Sequence, residues 1–299
     1  MVCHSIKMKR FFSIGQVKIL LEFDAEHYEM WLDKALGAFA VDHFDTPDIR
    51  FLVDTVSSLP LHDAGRKIFT SNPKGLWTIF EDDTASNYVI SLQNVEADKT
   101  PYRIIKADRE FRNFIVYDGP GGHRLRHSLE YPLVEMAVSG HLSLNKVGIV
   151  LHSACISWKG KGYLFAGVSG SGKSTMSELW GKEGGEEVLS DERVIIREHN
   201  GDLWAFGTPW HGTSELHRNT GARIEKIFFI GHGKKNKAKT ISKMDAANGL
   251  IVRCFPTFWN REGMEFSVDF CSRIAQQKEC YDLEFVNDMS VLEYLRKRM

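Results

Sequence analysis

Residues 167–174 read Gly-Val-Ser-Gly-Ser-Gly-Lys-Ser, a Gly-x-x-x-x-Gly-Lys-Ser run that follows the strand-like stretch Tyr163–Ala166 and precedes a helical one. That order commits the chain to a strand, a tight glycine-rich loop and a helix, the context in which this pattern holds phosphate. Gly167, Gly170 and Gly172 let the backbone of Ser169, Ser171 and their neighbours curl, so that successive N–H groups face a polyphosphate. Lys173 adds a full positive charge at the β- and γ-phosphates, Ser174 offers a hydroxyl to Mg²⁺, and Thr175 continues the helix start. A nucleoside triphosphate site is the expectation.

The whole chain sets the limits. Its 299 residues carry 43% hydrophobic and 26% charged side chains with a net charge of −1, a composition ordinary for globular domains and without the basic excess that nucleic acid demands. No apolar run approaches the roughly 18 residues of a membrane span, and the N-terminus lacks the apolar centre of a signal peptide. A cytoplasmic protein with no membrane partner is expected. Five scattered cysteines, Cys3, Cys155, Cys254, Cys271 and Cys280, form no Cys-x-x-Cys pair and read as reduced thiols.

Short β segments dominate Ile49–Tyr117: Ile49–Val53, Trp77–Glu81, Tyr88–Gln93, Tyr102–Lys106 and Phe114–Tyr117, after a helix near Ala25–Phe39. Ser128–Asn145 reads as a helix. Strands follow at Gly148–Ser157, Tyr163–Gly167, Glu187–Leu189, Val194–Arg197, Ile224–Ile230 and Asp282–Val286, and helices at Lys173–Lys182, Lys243–Phe258, Glu262–Gln277 and Ser290–Lys297. The expectation is a mixed α/β (α+β) protein with a β-rich N-terminal module, residues 1–125, and a P-loop domain, residues 126–299.

Asp191-Glu192 closes the apolar strand Glu187–Leu189 only 18 residues after Lys173. One β-α-β unit therefore brings Asp191 to a strand end beside the loop, where a carboxylate reaches Mg²⁺ or an attacking hydroxyl. With Leu151-His152 on the preceding strand, the loop 167–174, the helix from Thr175 and Ser190-Asp-Glu-Arg193, the chain resembles the catalytic domain of HPr kinase/phosphorylase and its relatives, which include ATP-dependent phosphoenolpyruvate carboxykinases. It is also similar to HPr-kinase-like bacterial proteins that resemble serine kinases of small peptides or metabolites.

The resemblance implies an ATP- and Mg²⁺-dependent transfer of the γ-phosphoryl group to a serine hydroxyl of a protein or peptide. It makes Asp191 the base and metal neighbour, Glu192 the second acid, Lys173 and Ser174 the holders of phosphate and Mg²⁺, and His152 a catalytic-site histidine. An Arg or Lys from the C-terminal half, or from a neighbouring subunit of a homo-oligomer, would complete the charge clamp; Arg223 and Arg261 are candidates. Thr208 and His211 in Gly207–Gly212 are candidates for the substrate side. Lys234, Lys235, Lys237 and Lys239 read as a solvated hairpin tip, and Phe255–Trp259 as core packing at a helix end. The alternatives are a small-molecule hydroxyl kinase and a nucleotide-binding module without transfer.

Overall fold

A computed structural model describes residues 7–24, 34–60, 65–71, 75–84, 86–93, 100–119, 129, 131–183 and 187–299. The expected helix start at Ala25, Cys3 and the expected boundary between residues 125 and 126 lie outside them. The fold is mixed α/β, with two large mixed sheets.

The first sheet takes β1 (Lys7–Ile14), β2 (Val17–Asp24), β3 (Ala40–Val41), β4 (Ile49–Thr55), β5 (Arg66–Thr70), β6 (Trp77–Glu81), β7 (Asn87–Gln93), β8 (Pro101–Asp108) and β9 (Asn113–Asp118). Their order is β3-β1-β2-β4-β9-β8-β7-β6-β5, with the short helix α1 (Lys34–Gly37) between β2 and β3 in sequence. The five expected strands of this half recur, and of the helix expected near Ala25–Phe39 the described part is helical at Lys34–Gly37. The hairpin β1–β2 and strand β5 are additions.

Helix α2 (Leu133–Leu144) follows, and the second sheet uses β10 (Ile149–Trp158), β11 (Lys161–Ala166), β12 (Glu187–Ser190), β13 (Arg193–His199), β14 (Asp202–Phe206), β15 (Gly221–His232), β16 (Lys237–Thr240) and β17 (Glu279–Phe285). Pairing runs β11-β10-β13-β14-β15 and returns from β15 to β11, so five strands form a ring from which β17 and β16 extend. Helices α3 (Lys173–Glu183), α4 (Lys243–Ile251), α5 (Arg261–Gln277) and α6 (Ser290–Arg296) complete the chain.

Both faces of this sheet are covered, which is why its strands read as unbroken apolar runs. Along β11, Tyr163 and Phe165 join the cluster of α3 and α6 with Trp180 and Leu292, whereas Leu164 and Ala166 join that of α4 and α5 with Leu250 and Phe270. Helix α2 is mostly apolar and, its Glu135, Ser139, His141 and Ser143 included, is buried on every side from Leu133 to Ser143. Its core is common to both halves: Leu133, Ala137 and Leu142 cluster with Phe51 and Val116 of the first sheet and with Val150 and Ile195 of the second.

The expected helix Lys243–Phe258 stops at Ile251. Phe255 precedes Pro256, a position biased away from helical backbone, and Cys254 instead bridges Leu151 beside β10. Lys237 and Lys239, expected at a hairpin tip, sit on β16, which pairs with β17.

His141 on α2 is 4% exposed, and its Nδ1 accepts from Asn145 Nδ2 at 3.2 Å. Burial, with the Arg112 charge assisting, pulls the imidazole from 6.5 down to about 4. Above about pH 6.5 the ring is neutral folded or unfolded and adds no pH dependence. As pH falls toward 4, the unfolded chain takes up a proton that the folded chain refuses, so stability is lost, by roughly 3 kcal/mol in full. Urea unfolding between neutral pH and about pH 4 should show this slope, and His141→Gln should flatten it. An unchanged slope in that variant would remove His141 as its source.

Candidate phosphate and metal site

Strand direction assembles the site. β10 is antiparallel to both β11 and β12, so β11 and β12 run the same way and end at the same edge, with the His152–Ser153 part of β10 between them. β11 ends at Ala166 and releases the loop 167–172 into α3; β12 ends at Ser190 and releases Asp191-Glu192, after which β13 resumes pairing with β10 at Arg193.

Within the loop, Val168, Ser169 and Gly170 are exposed, Gly167 and Ser171 are buried, and Ser174 and Thr175 are half-buried on the first turn of α3. Lys173 is only 4% exposed and donates through Nζ to the carbonyls of Gly167 and Val168, each at 3.1 Å. Burial holds its pKa below the usual lysine value; Glu192 opposes this, and Arg193 and Arg253 add to it.

Gly172 has φ +98°, and a methyl group there would stand 2.5 Å from Phe285 Cζ. Left-handed backbone and overpacking act together, so Gly172→Ala should cost about 3 kcal/mol or more. Urea unfolding measures this; a variant within a few tenths of the parent would show that Phe285 has room to move.

Asp191 is wholly buried and tied to the segment after β14. Its Oδ1 accepts from Gly212 N at 2.8 Å, and Oδ2 accepts from Ser214 N at 3.1 Å and from Ser214 Oγ. Glu192 Oε1 meets His152 Nε2 at 2.9 Å, and this contact, with His152 and Lys173 as positive neighbours, holds the carboxyl below its ordinary range despite partial burial. A methyl group on Gly212 would stand 3.1 Å from Asp191 Oδ2, 3.1 Å from Glu192 Oε2 and 3.2 Å from Ser174 Oγ. Three oxygens from two segments, the turn after β12 and the first turn of α3, therefore lie close to one point, and a side chain at 212 would press on all three.

Two carboxylates and a hydroxyl are the hard oxygen donors Mg²⁺ takes when phosphate and water complete its shell. No group of three or more His, Cys, Asp or Glu able to hold a metal occurs among the described residues. The structure thus brings together Lys173, Ser174, Asp191, Glu192 and His152.

Other candidates fall elsewhere. Arg223 pairs with Asp202 and Glu225 at the start of β15, and Arg261 pairs with Glu265 on the solvent side of α5. Thr208 is buried and donates to Arg193 O at 2.7 Å, a structural bond. His211 Nδ1 donates to Gly212 O at 3.0 Å, and the ring stacks on His217.

Arg253, Gly212 and Ser214 take the places that sequence spacing did not assign. His152 N donates to Arg253 O at 2.8 Å and Phe255 N to Val150 O at 3.0 Å, so residues 253–255 lie along the start of β10 beside the site. Phe255 and Trp259 pack on the main core as expected, but Phe258 is 62% exposed. Among the described residues no helix is long and apolar enough to cross a membrane.

The chain matches no protein-family model and no curated protein.

Proposed function

We propose that the protein is a P-loop kinase of the HPr kinase type, which uses ATP and Mg²⁺ to phosphorylate a serine-type hydroxyl of a protein or peptide. The observation that carries this reading is the meeting of Ser174 Oγ, Asp191 Oδ2 and Glu192 Oε2 around one point beside the Lys173 helix start. A module that only bound nucleotide would need the loop, but not two acids converging on its metal side.

The loop amides and Lys173 would hold the phosphates, and Ser174 with Asp191 would hold Mg²⁺, which would supply charge neutralisation for the transferred group. The acceptor hydroxyl oxygen forms a bond to the γ-phosphorus as the bond to the β–γ bridging oxygen breaks and ADP leaves. Asp191 already accepts three hydrogen bonds. Glu192, held through one oxygen by His152, has the other for the hydroxyl proton. Proton acceptance, expected of Asp191 by resemblance, is therefore assigned to Glu192, and Asp191 anchors the metal and the 212–214 segment.

The test incubates the protein with γ-labelled ATP, Mg²⁺ and a lysate separated into protein, peptide and small-molecule fractions. Label should appear in a peptide or protein. Label confined to small metabolites would replace the acceptor class, and label that stays on bound ATP would overturn transfer.

A further inference from the structure

A cavity of about 600 Å³ is lined by Glu135, whose carboxylate meets Arg193, and by none of residues 167–175. It opens between the end of the first sheet, α2 and the segment after α4, and its size suits a ligand or an inserted side chain with its flanking backbone. Phe69, Trp77, Phe255, Phe258 and Trp259 form aromatic walls. Phe258 stacks on Phe69 with ring centroids 6.1 Å apart, yet leaves most of its surface in solvent. An exposed aromatic at the rim of an aromatic cavity marks a binding face.

One residue of the cavity lining carries a buried acceptor short of a donor. Glu135 lines it, is 6% exposed, and points Oε1 at Arg193 Nε across 3.0 Å. Its Oε2 is buried with no hydrogen-bond partner among the described residues, a condition that costs stability until a donor arrives. Burial raises this carboxyl to about 7, with Arg193 acting against the rise and Glu192 adding to it.

Contacts join this cavity to the phosphate site. The Arg193 guanidinium lies 5.2 Å from the Phe255 ring centre and 5.7 Å from that of Tyr131, another lining residue, and the His152 ring is 6.1 Å from Phe255. Phe255, Tyr131 and Glu135 thus link the cavity lining to Arg193 and His152 at the edge of the phosphate site. The cavity mouth includes Phe69 and Thr70 of β5, the terminal strand of its sheet, which pairs with β6 alone among the described strands. A free edge accepts an extended chain through main-chain hydrogen bonds.

Resting on the phosphoryl-transfer reading, we infer that the acceptor is an extended peptide that lies along β5 and seats a tryptophan or tyrosine side chain in this cavity, donating its N–H or O–H to Glu135, next to the serine that is phosphorylated. The aromatic walls select the ring, and the lone carboxylate oxygen selects tryptophan and tyrosine over phenylalanine.

The test uses short peptides with one serine and a tryptophan placed at successive positions around it, against the same peptides with alanine. At a fitting position tryptophan should raise kcat/KM about tenfold through a lower peptide KM, with the KM for ATP unchanged. Phe258→Asp, at an exposed position, should erase that advantage. Separately, calorimetry without nucleotide should show N-acetyl-tryptophanamide binding the parent and Lys173→Ala alike, and Phe258→Asp about tenfold more weakly. Equal turnover of all peptides, or N-acetyl-tryptophanamide binding no better than N-acetyl-glycinamide, would overturn the assignment. Specific N-acetyl-tryptophanamide binding with no label on any peptide would support the cavity's ligand class and sink the transfer reading alone.

Discussion

Lys173→Ala should lose phosphoryl transfer by roughly a thousandfold or more while leaving the fold at least as stable as the parent. The catalytic half follows from position: the ammonium sits at the first turn of α3, within 3.1 Å of two loop carbonyls, where the β- and γ-phosphates would lie. The stability half follows from environment. Lys173 is buried, its charge is disfavoured by desolvation, and Arg193 and Arg253 press on it with like charge, against Glu192 and Asp191. Such a cation is an expense in the free protein that a polyphosphate would relieve. Thermal unfolding should therefore show two linked results. Mg²⁺-ATP should raise the Tm of the parent, by about 2.7 kcal/mol of stabilisation at a hundredfold excess over Kd. In Lys173→Ala the rise should vanish without a drop in the Tm of the free protein. A variant that still transferred label, or that still gained Tm from Mg²⁺-ATP, would place the phosphates elsewhere.

What could be read in the sequence is what is local. The loop 167–174 sits between β11 and α3 as its spacing demands, and Asp191 follows β12 because one β-α-β unit is contiguous in sequence. The hairpin β1–β2 was legible in principle from Gly15-Gln16, both at positive φ, as the two-residue turn of a hairpin. Likewise Asn200-Gly201, with φ of +51° and +77°, announces the turn from β13 to β14. Their flanking strands carry little signal, because β1 is rich in Lys and Arg and β14 is only five residues long. Other features are consequences of three-dimensional closure. Nothing in Gly212-Thr-Ser214 announces that its N–H groups hold Asp191, and Glu135 on α2 reads as one charge in an apolar helix. Only the packing of α2 between the sheets shows it buried beside Arg193. Arg253 was hidden by the expectation that α4 continues through it, whereas Pro256 and the bridge to Leu151 straighten that segment against β10.

Glu192→Gln and Asp191→Asn should fail in different ways, and the difference identifies the base. Gln at 192 keeps the size of the side chain and can still accept from His152 through its amide oxygen, so fold and Mg²⁺-ATP binding should persist. Under the proposed transfer it lacks the ionised oxygen that would take the hydroxyl proton, and turnover should fall about 10²- to 10⁴-fold. Asn at 191 is no silent replacement, because Asp191 accepts from Gly212 N on one oxygen and from Ser214 N and Oγ on the other. An amide offers only one acceptor atom, so its NH₂ must face a buried N–H donor. That conflict should cost about 1–3 kcal/mol, loosen the 212–214 segment and weaken Mg²⁺ binding. Single-turnover kinetics, Mg²⁺ titration and urea unfolding on both variants separate the two signatures. If Glu192→Gln turned over normally while Asp191→Asn stayed folded, bound Mg²⁺-ATP and transferred nothing, proton acceptance would return to Asp191, and the contact of Glu192 with His152 would be left with the orientation of the strand edge.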